Sequence, residues 1–322
     1  MKNINLICLS ILSSLMLNLT SCSSQDEPLL KIMQEETVTV RADLNFHFDI
    51  DFKYDKNLNR EEAFAKEVSS VAVWAFDKSG KLVWSHYVNL DNATSEDFTL
   101  PVKIAVGEYD FVAWCGLTPD LPLLSSALPT SLSQLSLTLP IVSNECNIQL
   151  PETYNAVASN VMIRENGANS LTLNLTKVTK HIKILLESTK SEIIPNDIDI
   201  RITDAPNTLE WDMTPKTTSA FKYTPYSIRN GNIETDLFTL SVLQADFSTL
   251  RLTDYSTAKL FITRKSDNKE IMIPLVDHFL KQVPMFSGRY TPQEYLDRRS
   301  NYSITISIDS YKLQPSDVDS SN

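Results

Sequence analysis

Val68-Ser69-Ser70-Val71-Ala72-Val73-Trp74-Ala75-Phe76 is followed by Asp77-Lys78-Ser79-Gly80 and then by Leu82-Val83-Trp84-Ser85-His86-Tyr87-Val88. Two runs rich in β-branched and aromatic residues, separated by a polar turn that ends in glycine, predict an antiparallel hairpin. Trp74 shares a face with Ala72 and Phe76, and Trp84 lies across the turn, so a Trp74–Trp84 cross-strand pair is expected. The rest of the chain reads outward from this unit as one strand after another.

Upstream, Val38, Val40, Ala42, Leu44, Phe46, Phe48, Ile50, Phe52 and Tyr54 are apolar and their odd-numbered neighbours are polar, the period of a half-buried strand bent midway. Residues 57–67 are polar, with room for a short helix. Downstream, strands are expected over 98–106 and over Glu108-Tyr109-Asp110-Phe111-Val112-Ala113-Trp114-Cys115, and 146–150 closes this region. Residues 117–140, rich in Leu, Ser and Pro, read as a long connection. Leu171, Leu173 and Leu175 are odd-numbered, whereas Ile182, Ile184 and Leu186 are even. That switch of parity near Val178 predicts a bulge or bend of the kind found at a sandwich corner. Further strands are expected over 198–203, 221–226, 237–243, 250–253, 258–263, 271–275 and 302–308, with helical signal over 292–299. The reading is an all-β protein of two tandem antiparallel β-sandwich domains, 36–155 and 156–322, joined where residues 151–170 turn polar.

The N-terminus is of a different kind. A lysine at position 2, an apolar run over 4–19 and Leu19-Thr20-Ser21-Cys22 have the layout of a bacterial lipoprotein signal peptide, residues 1–21. The run is too short for a comfortable membrane span. Cys22 is then the lipidated first residue of the mature chain, and the polar spacer 22–35 separates it from the first domain. Two or three acyl chains anchor firmly where one is marginal.

Composition bounds the function. A net charge of −11 argues against nucleic acid as a partner, because phosphate recognition needs a basic face. Six glycines in 322 residues leave little material for phosphate loops or strained nucleophile turns. Of four cysteines, Cys8 leaves with the signal and Cys22 takes lipid. Cys115 and Cys146 remain, either as a disulfide closing one loop in an oxidising compartment or as two buried thiols. No hydrolase, metalloprotease or phosphate-loop motif occurs, so no catalytic residue and no cofactor is expected. His47, His86, His181 and His278 are scattered. Asp49, Asp51 and Asp55 form the best acidic cluster, with a solvated strand face as the favoured reading over calcium ligation. Trp74, Trp84 and Trp114 fall in expected strands and Trp211 between two, which suits core packing better than a sugar platform.

Several segments together resemble the FimB/minor-fimbrium anchor family of Bacteroidetes fimbrillin-type pilus proteins. They are the lipobox, Ser70 to Asp77 with the Gly80 turn, Gly107 to Leu117, Leu175-Thr176-Lys177-Val178-Thr179-Lys180-His181-Ile182-Lys183, and Glu294-Tyr295-Leu296-Asp297-Arg298 before the last strand. The short acidic run after Cys22 is similar to the surface-export signal of Bacteroidetes lipoproteins. The resemblance implies two transthyretin-like sandwich domains and display on the cell outer membrane through lipid on Cys22. It also implies fimbrial stem subunits as partners, bound by β-strand addition, and a role at the fimbrial base that limits polymer length. An anchor that keeps its N-terminal strand needs no maturation cleavage. One mature species from Cys22 to Asn322 is therefore expected, without a cut at Arg41 or Arg60. The alternatives are a surface glycan-binding lipoprotein, a tip or accessory fimbrial subunit, and, less in keeping with the residues, a lipoprotein hydrolase.

Overall fold

The computed structural model describes residues 42–48, 68–90, 100–118, 123–124, 129–140, 144–164, 169–218, 220–234, 237–280, 291–298 and 301–308. The strands in chain order begin with β1 (Ala42–Phe48), β2 (Ser70–Asp77), β3 (Leu82–Asn89), β4 (Gly107–Cys115), β5 (Ser136–Thr138) and β6 (Glu145–Cys146). β7 (Tyr154–Ile163), β8 (Asn169–Lys177), β9 (Thr179–Ser188), β10 (Ile198–Thr203), β11 (Thr208–Glu210) and β12 (Pro215–Lys216) follow. The chain continues through β13 (Lys222–Tyr223), β14 (Ser227–Glu234), β15 (Thr239–Leu250), β16 (Lys259–Arg264) and β17 (Lys269–Pro274). The last described elements are helix α1 (Pro292–Arg298) and β18 (Asn301–Ser307).

These strands form four sheets with orders β1-β8-β7-β4-β2-β3, β17-β16-β10-β13-β6, β12-β11-β5 and β14-β15-β9-β18. The expected all-β architecture is present. Most pairs are antiparallel, as expected; β1 runs parallel to β8, β13 to β6 and β18 to β9.

The opening hairpin forms as expected and explains the six-stranded sheet. Asp77 Oδ1 accepts the backbone N–H of Ser79 and of Lys81, and Gly80 takes a φ of 76°, which closes the turn. The run Val71 to Phe76 is continuously apolar because both of its faces are buried. Ala72, Trp74 and Phe76, with Val112 and Trp114 of β4, face one core; Val71, Val73 and Ala75, with Phe111, Ala113 and Cys115, face another. Trp74 and Trp114 are fully buried, and burying an indole removes about 150–250 Å² from water, worth at most about 4 to 6 kcal/mol each. The expected Trp74–Trp84 pair does not form. A bulge after Ala75 sets Trp84 opposite Ala75, so Trp84 packs against the second core and stacks on His86 with ring centroids 6.0 Å apart.

The parity switch at Val178 is the corner it promised. β8 ends at Lys177 in the six-stranded sheet, and β9 begins at Thr179 in the four-stranded one. Val178 donates its N–H to Thr153 O at 2.8 Å, and Thr153 donates its own to Thr179 Oγ1 at 3.1 Å. The ladders therefore change sheet at Val178. β7 and β8 complete the six-stranded sheet, while β5 and β6 pair forward with β11 and β13. The first core also runs unbroken from Trp74 and Trp114 through Ile182, Phe247 and Ile304.

Other boundaries differ from expectation for local reasons. Leu100, Val102 and Ile104 bury alternately, but the segment makes no ladder, so the strand expected over 98–106 is absent from its described part. The polar join contains β7, whose alternation is broken where Asn160 takes a φ of 58° and its N–H is received by Asp110. The strand expected over 237–243 runs on as β15 to Leu250, and residues 251–253, expected in a separate strand, form none. In β15, Asp246 and Ser248 lie on the outer face and interrupt only the apparent apolar run.

Cys115 and Cys146 are free thiols, buried in different cores on opposite faces of the six-stranded sheet, so the disulfide is not formed. Burial pushes both thiols up, which suppresses the reactive thiolate. In the native protein neither is expected to react with an aqueous thiol reagent, and both react once the chain is denatured. A disulfide would instead leave them silent until reduced.

Candidate functional site

The two sequence segments at 175–183 and 294–298, far apart in the chain, meet at the Val178 corner. Lys177 contacts Glu152 in an ion pair, and the other oxygen of Glu152 lies 2.7 Å from His181 Nε2. His181 Nδ1 lies 3.0 Å from Ser248 Oγ. With the imidazole proton on Nε2 directed at the carboxylate, Nδ1 accepts from the hydroxyl. Burial raises the Glu152 pKa, but the His181 hydrogen bond and the Lys177 charge together hold it below the ordinary carboxylate value.

The second half of the site holds helix α1. Its start is a capping box: Glu294 N–H donates to Thr291 Oγ1 at 3.2 Å, and Thr291 N–H donates to Glu294 Oε2 at 2.7 Å, with Pro292 at the first helical position. Seven residues are too few for a helix to stand alone. Its other end is taken by Lys180, 1% exposed, whose Nζ donates to Leu296 O at 2.8 Å and to Asp297 O at 3.2 Å. Arg251 grips the Asp297 carboxylate with Nε at 2.6 Å and Nη2 at 2.8 Å. Gln293 Nε2 donates to the same carboxylate at 3.0 Å, and Gln293 Oε1 receives Asp254 N–H at 2.9 Å. The clamp fixes α1 against β9 and the chain after β15, and so fixes where β18 begins.

Burial pulls the Lys180 ammonium down from 10.5 to about 7; Arg251 and Lys177 act in the same direction, and Asp297 and Glu152 oppose them. Between these two values the unfolded chain binds the proton that the folded one lacks, so this group makes stability rise with pH from about 7 to 10. Lys180→Met is expected to flatten that rise, read as urea midpoints at neutral and alkaline pH. An equal rise in both proteins would contradict the assignment.

Ser248, His181 and Glu152 have the connectivity of a hydrolytic relay but not its access. Ser248 is 3% exposed, inside β15 and directly opposite His181 of β9, so an incoming carbonyl has no path to its Oγ. Among the described residues no group of three His, Cys, Asp or Glu side chains is placed to hold a metal ion. Cys22, Arg41, Arg60 and the cluster Asp49, Asp51 and Asp55 lie outside the described residues. None of the four tryptophans is exposed: Trp74 and Trp114 are buried, and Trp84 and Trp211 half-buried. The clamp residues Arg251, Gln293 and Asp297 went unnoticed as a site in the sequence. The one legible signal was the Thr291-Pro292-Gln293-Glu294 spacing of a capping box.

Stacked sheets with a polar lock on the last described helix and strand define an all-β sandwich protein. Residues 45–319 match the family described as fimbrillin-A associated anchor proteins Mfa1 and Mfa2, and the chain belongs to that family. No curated protein matches. Among solved structures, a putative polysaccharide-binding protein from Bacteroides thetaiotaomicron is 24% identical with a TM-score of 0.68, covering 83% of this chain and 90% of its own. A putative adhesin from the same organism is 22% identical with a TM-score of 0.68, covering 86% and 94%. The fimbrial anchor protein Mfa2 from Porphyromonas gingivalis is 18% identical with a TM-score of 0.58, covering 83% and 90%. At these identities the likeness is one of fold. The family makes this a fimbrium-associated protein of the cell envelope.

Proposed function

We propose that the protein is the anchor subunit of a fimbrium, held in the outer membrane by lipid on Cys22 and joined to the first stem subunit by β-strand addition. In this role it also limits polymer length, because a subunit that keeps its N-terminal strand ends the exchange. The observation that carries the reading is the match to an anchor family over 45–319, together with the lipobox Leu19-Thr20-Ser21-Cys22. The corner clamp supports it, since a subunit that bears pulling force benefits from a last described helix held by Lys180 and by the Arg251–Asp297 ion pair. Cys22→Ala tests the tether. The variant is expected to lose acylation, leave the membrane fraction and release fimbriae into the medium. Fimbriae that stay on the cell with the unacylated variant would overturn the reading.

A further inference from the structure

We infer that the outer edge of β14 is where an extended segment of a fimbrial subunit adds to the four-stranded sheet, with a large apolar side chain of that segment lying across Gly231. The inference rests on the anchor reading and names the surface that reading leaves open.

β14 is the end strand of its sheet, eight residues long and in unbroken antiparallel register with β15. On its outer side, alternate N–H and C=O groups point away from β15. Of the other edges, β17, β5, β6 and β12 are blunted in recognisable ways, while β1, β3 and β18 are seven or eight residues long. β17 presents exposed Lys269 and Glu270 and ends in Pro274, and β5, β6 and β12 are two or three residues long. β14 has no proline, no lysine and no bulge.

Gly231 sits in the middle of this edge. Its φ is not positive, and a Cβ built on it would meet nothing within 4 Å, so neither the backbone nor the packing of this chain requires glycine there. A glycine inside a strand weakens it and often marks the close approach of another chain. Arg229 and Ile233 flank it on the same face, with Val242 of β15 beside it. Ile228 is 50% exposed and Ile233 54%, and the turn that follows presents Leu237 at 90% and Phe238 at 46%. Among the described residues this hairpin thus carries four of the nine large apolar side chains left exposed. Ile233 lies on the Gly231 face and Ile228 on the other, and exposed apolar side chains flanking an open edge mark an interaction surface.

The chemistry of the edge selects its occupant. A ladder edge is matched only by an extended main chain; a glycan or a lipid has no such repeat of donors and acceptors. The N-terminal segment leads into β1, the edge of the six-stranded sheet, so β14 belongs to the sheet that does not receive the tether. Arg229 stays 67% exposed even while it is paired with Asp246, and it favours an acidic residue on the incoming strand next to the apolar one over Gly231.

The test uses the full-length protein in fimbriated cells. A photo-crosslinking residue is placed at Ile228 or Ile233 on β14 and, for comparison, at Met272 on β17 or His86 on β3. The β14 positions are expected to give an adduct with a fimbrial subunit and the others none. Gly231→Val is expected to lower that adduct about tenfold or more while the protein remains displayed and melts no lower than wild type. Adducts from Met272 or His86 instead would overturn the β14 assignment and leave the anchor reading standing. An adduct with a second copy of this chain would overturn the choice of occupant. No adduct from any position would also overturn the assignment, and attachment and length of fimbriae in a deletion strain then decide separately whether the anchor reading survives.

Discussion

Gly116→Ala is expected to cost about 3 to 5 kcal/mol, enough to unfold a protein of ordinary stability or to prevent its accumulation. Gly116 follows β4 with a φ of 76°, which an L-residue adopts at a cost of about 1 to 2 kcal/mol. Steric overlap costs more than the backbone angle. A Cβ at this position would lie 1.8 Å from Glu152 O and 3.0 Å from Glu152 C, and backbone cannot swing aside as the end of a side chain can. Any relief moves Glu152, whose carboxylate holds Lys177 and His181, so strain at Gly116 spreads into the corner. Gly80→Ala is the matched control. It has the same φ of 76°, but the nearest atom to a new Cβ is 3.9 Å away, so only the conformational cost remains. Thermal unfolding of the two variants decides the point. Equal losses would show that the close approach of β4 to residue 152 is not what constrains position 116.

Asp297→Ala is the second large effect. It removes the carboxylate that faces Arg251, 12% exposed, and lies close to the buried Lys180. Stripping one partner from a fully buried pair costs about 3 to 5 kcal/mol, and from this partly buried one about 2 to 3 kcal/mol, because the remaining charge is poorly rehydrated. The loss is expected to exceed that of a double replacement, Arg251→Met with Asp297→Leu, in which no charge is stranded. Denaturant midpoints of the single and double variants test this. A single-variant loss under about 1 kcal/mol would place the pair among the exposed contacts that contribute little. Since α1 leads directly into β18, protection of the 301–307 amides from hydrogen exchange is expected to fall further than that of β10 or β16.

Much of the fold was legible because side-chain period survives burial. β2, β10, β18 and α1 lie within a residue or two of where alternation, apolar runs and the helical signal over 292–299 place them. The corner at Val178 was readable from a change of parity alone. What failed did so for physical reasons. Pairing partners are not written in a strand's own residues, so the parallel neighbours of β9 and β8, and the forward pairing of β5 and β6, were out of reach. Residues such as Asp246 and Ser248 look like loop material until Arg229 and His181 are found beside them on the outer face. The bulge after Ala75 moved Trp84 to the other face by a single residue, and Asn160 hid β7 in the same way. Most of the clamp was out of reach because its contacts join distant parts of the chain, 116 residues apart for Lys180 and Leu296 and 46 for Arg251 and Asp297.

The central claim, that this protein holds a fimbrium to the cell and ends its growth, is tested most directly by deleting its gene. Fimbriae are then measured by negative stain on the cells and in the medium, with mass spectrometry of the sheared fraction. The account predicts long fimbriae shed into the medium, restored to normal length and attachment when the wild-type gene is returned. Fimbriae that remain attached at normal length would contradict it and move the protein to the tip of the fimbrium or out of it altogether.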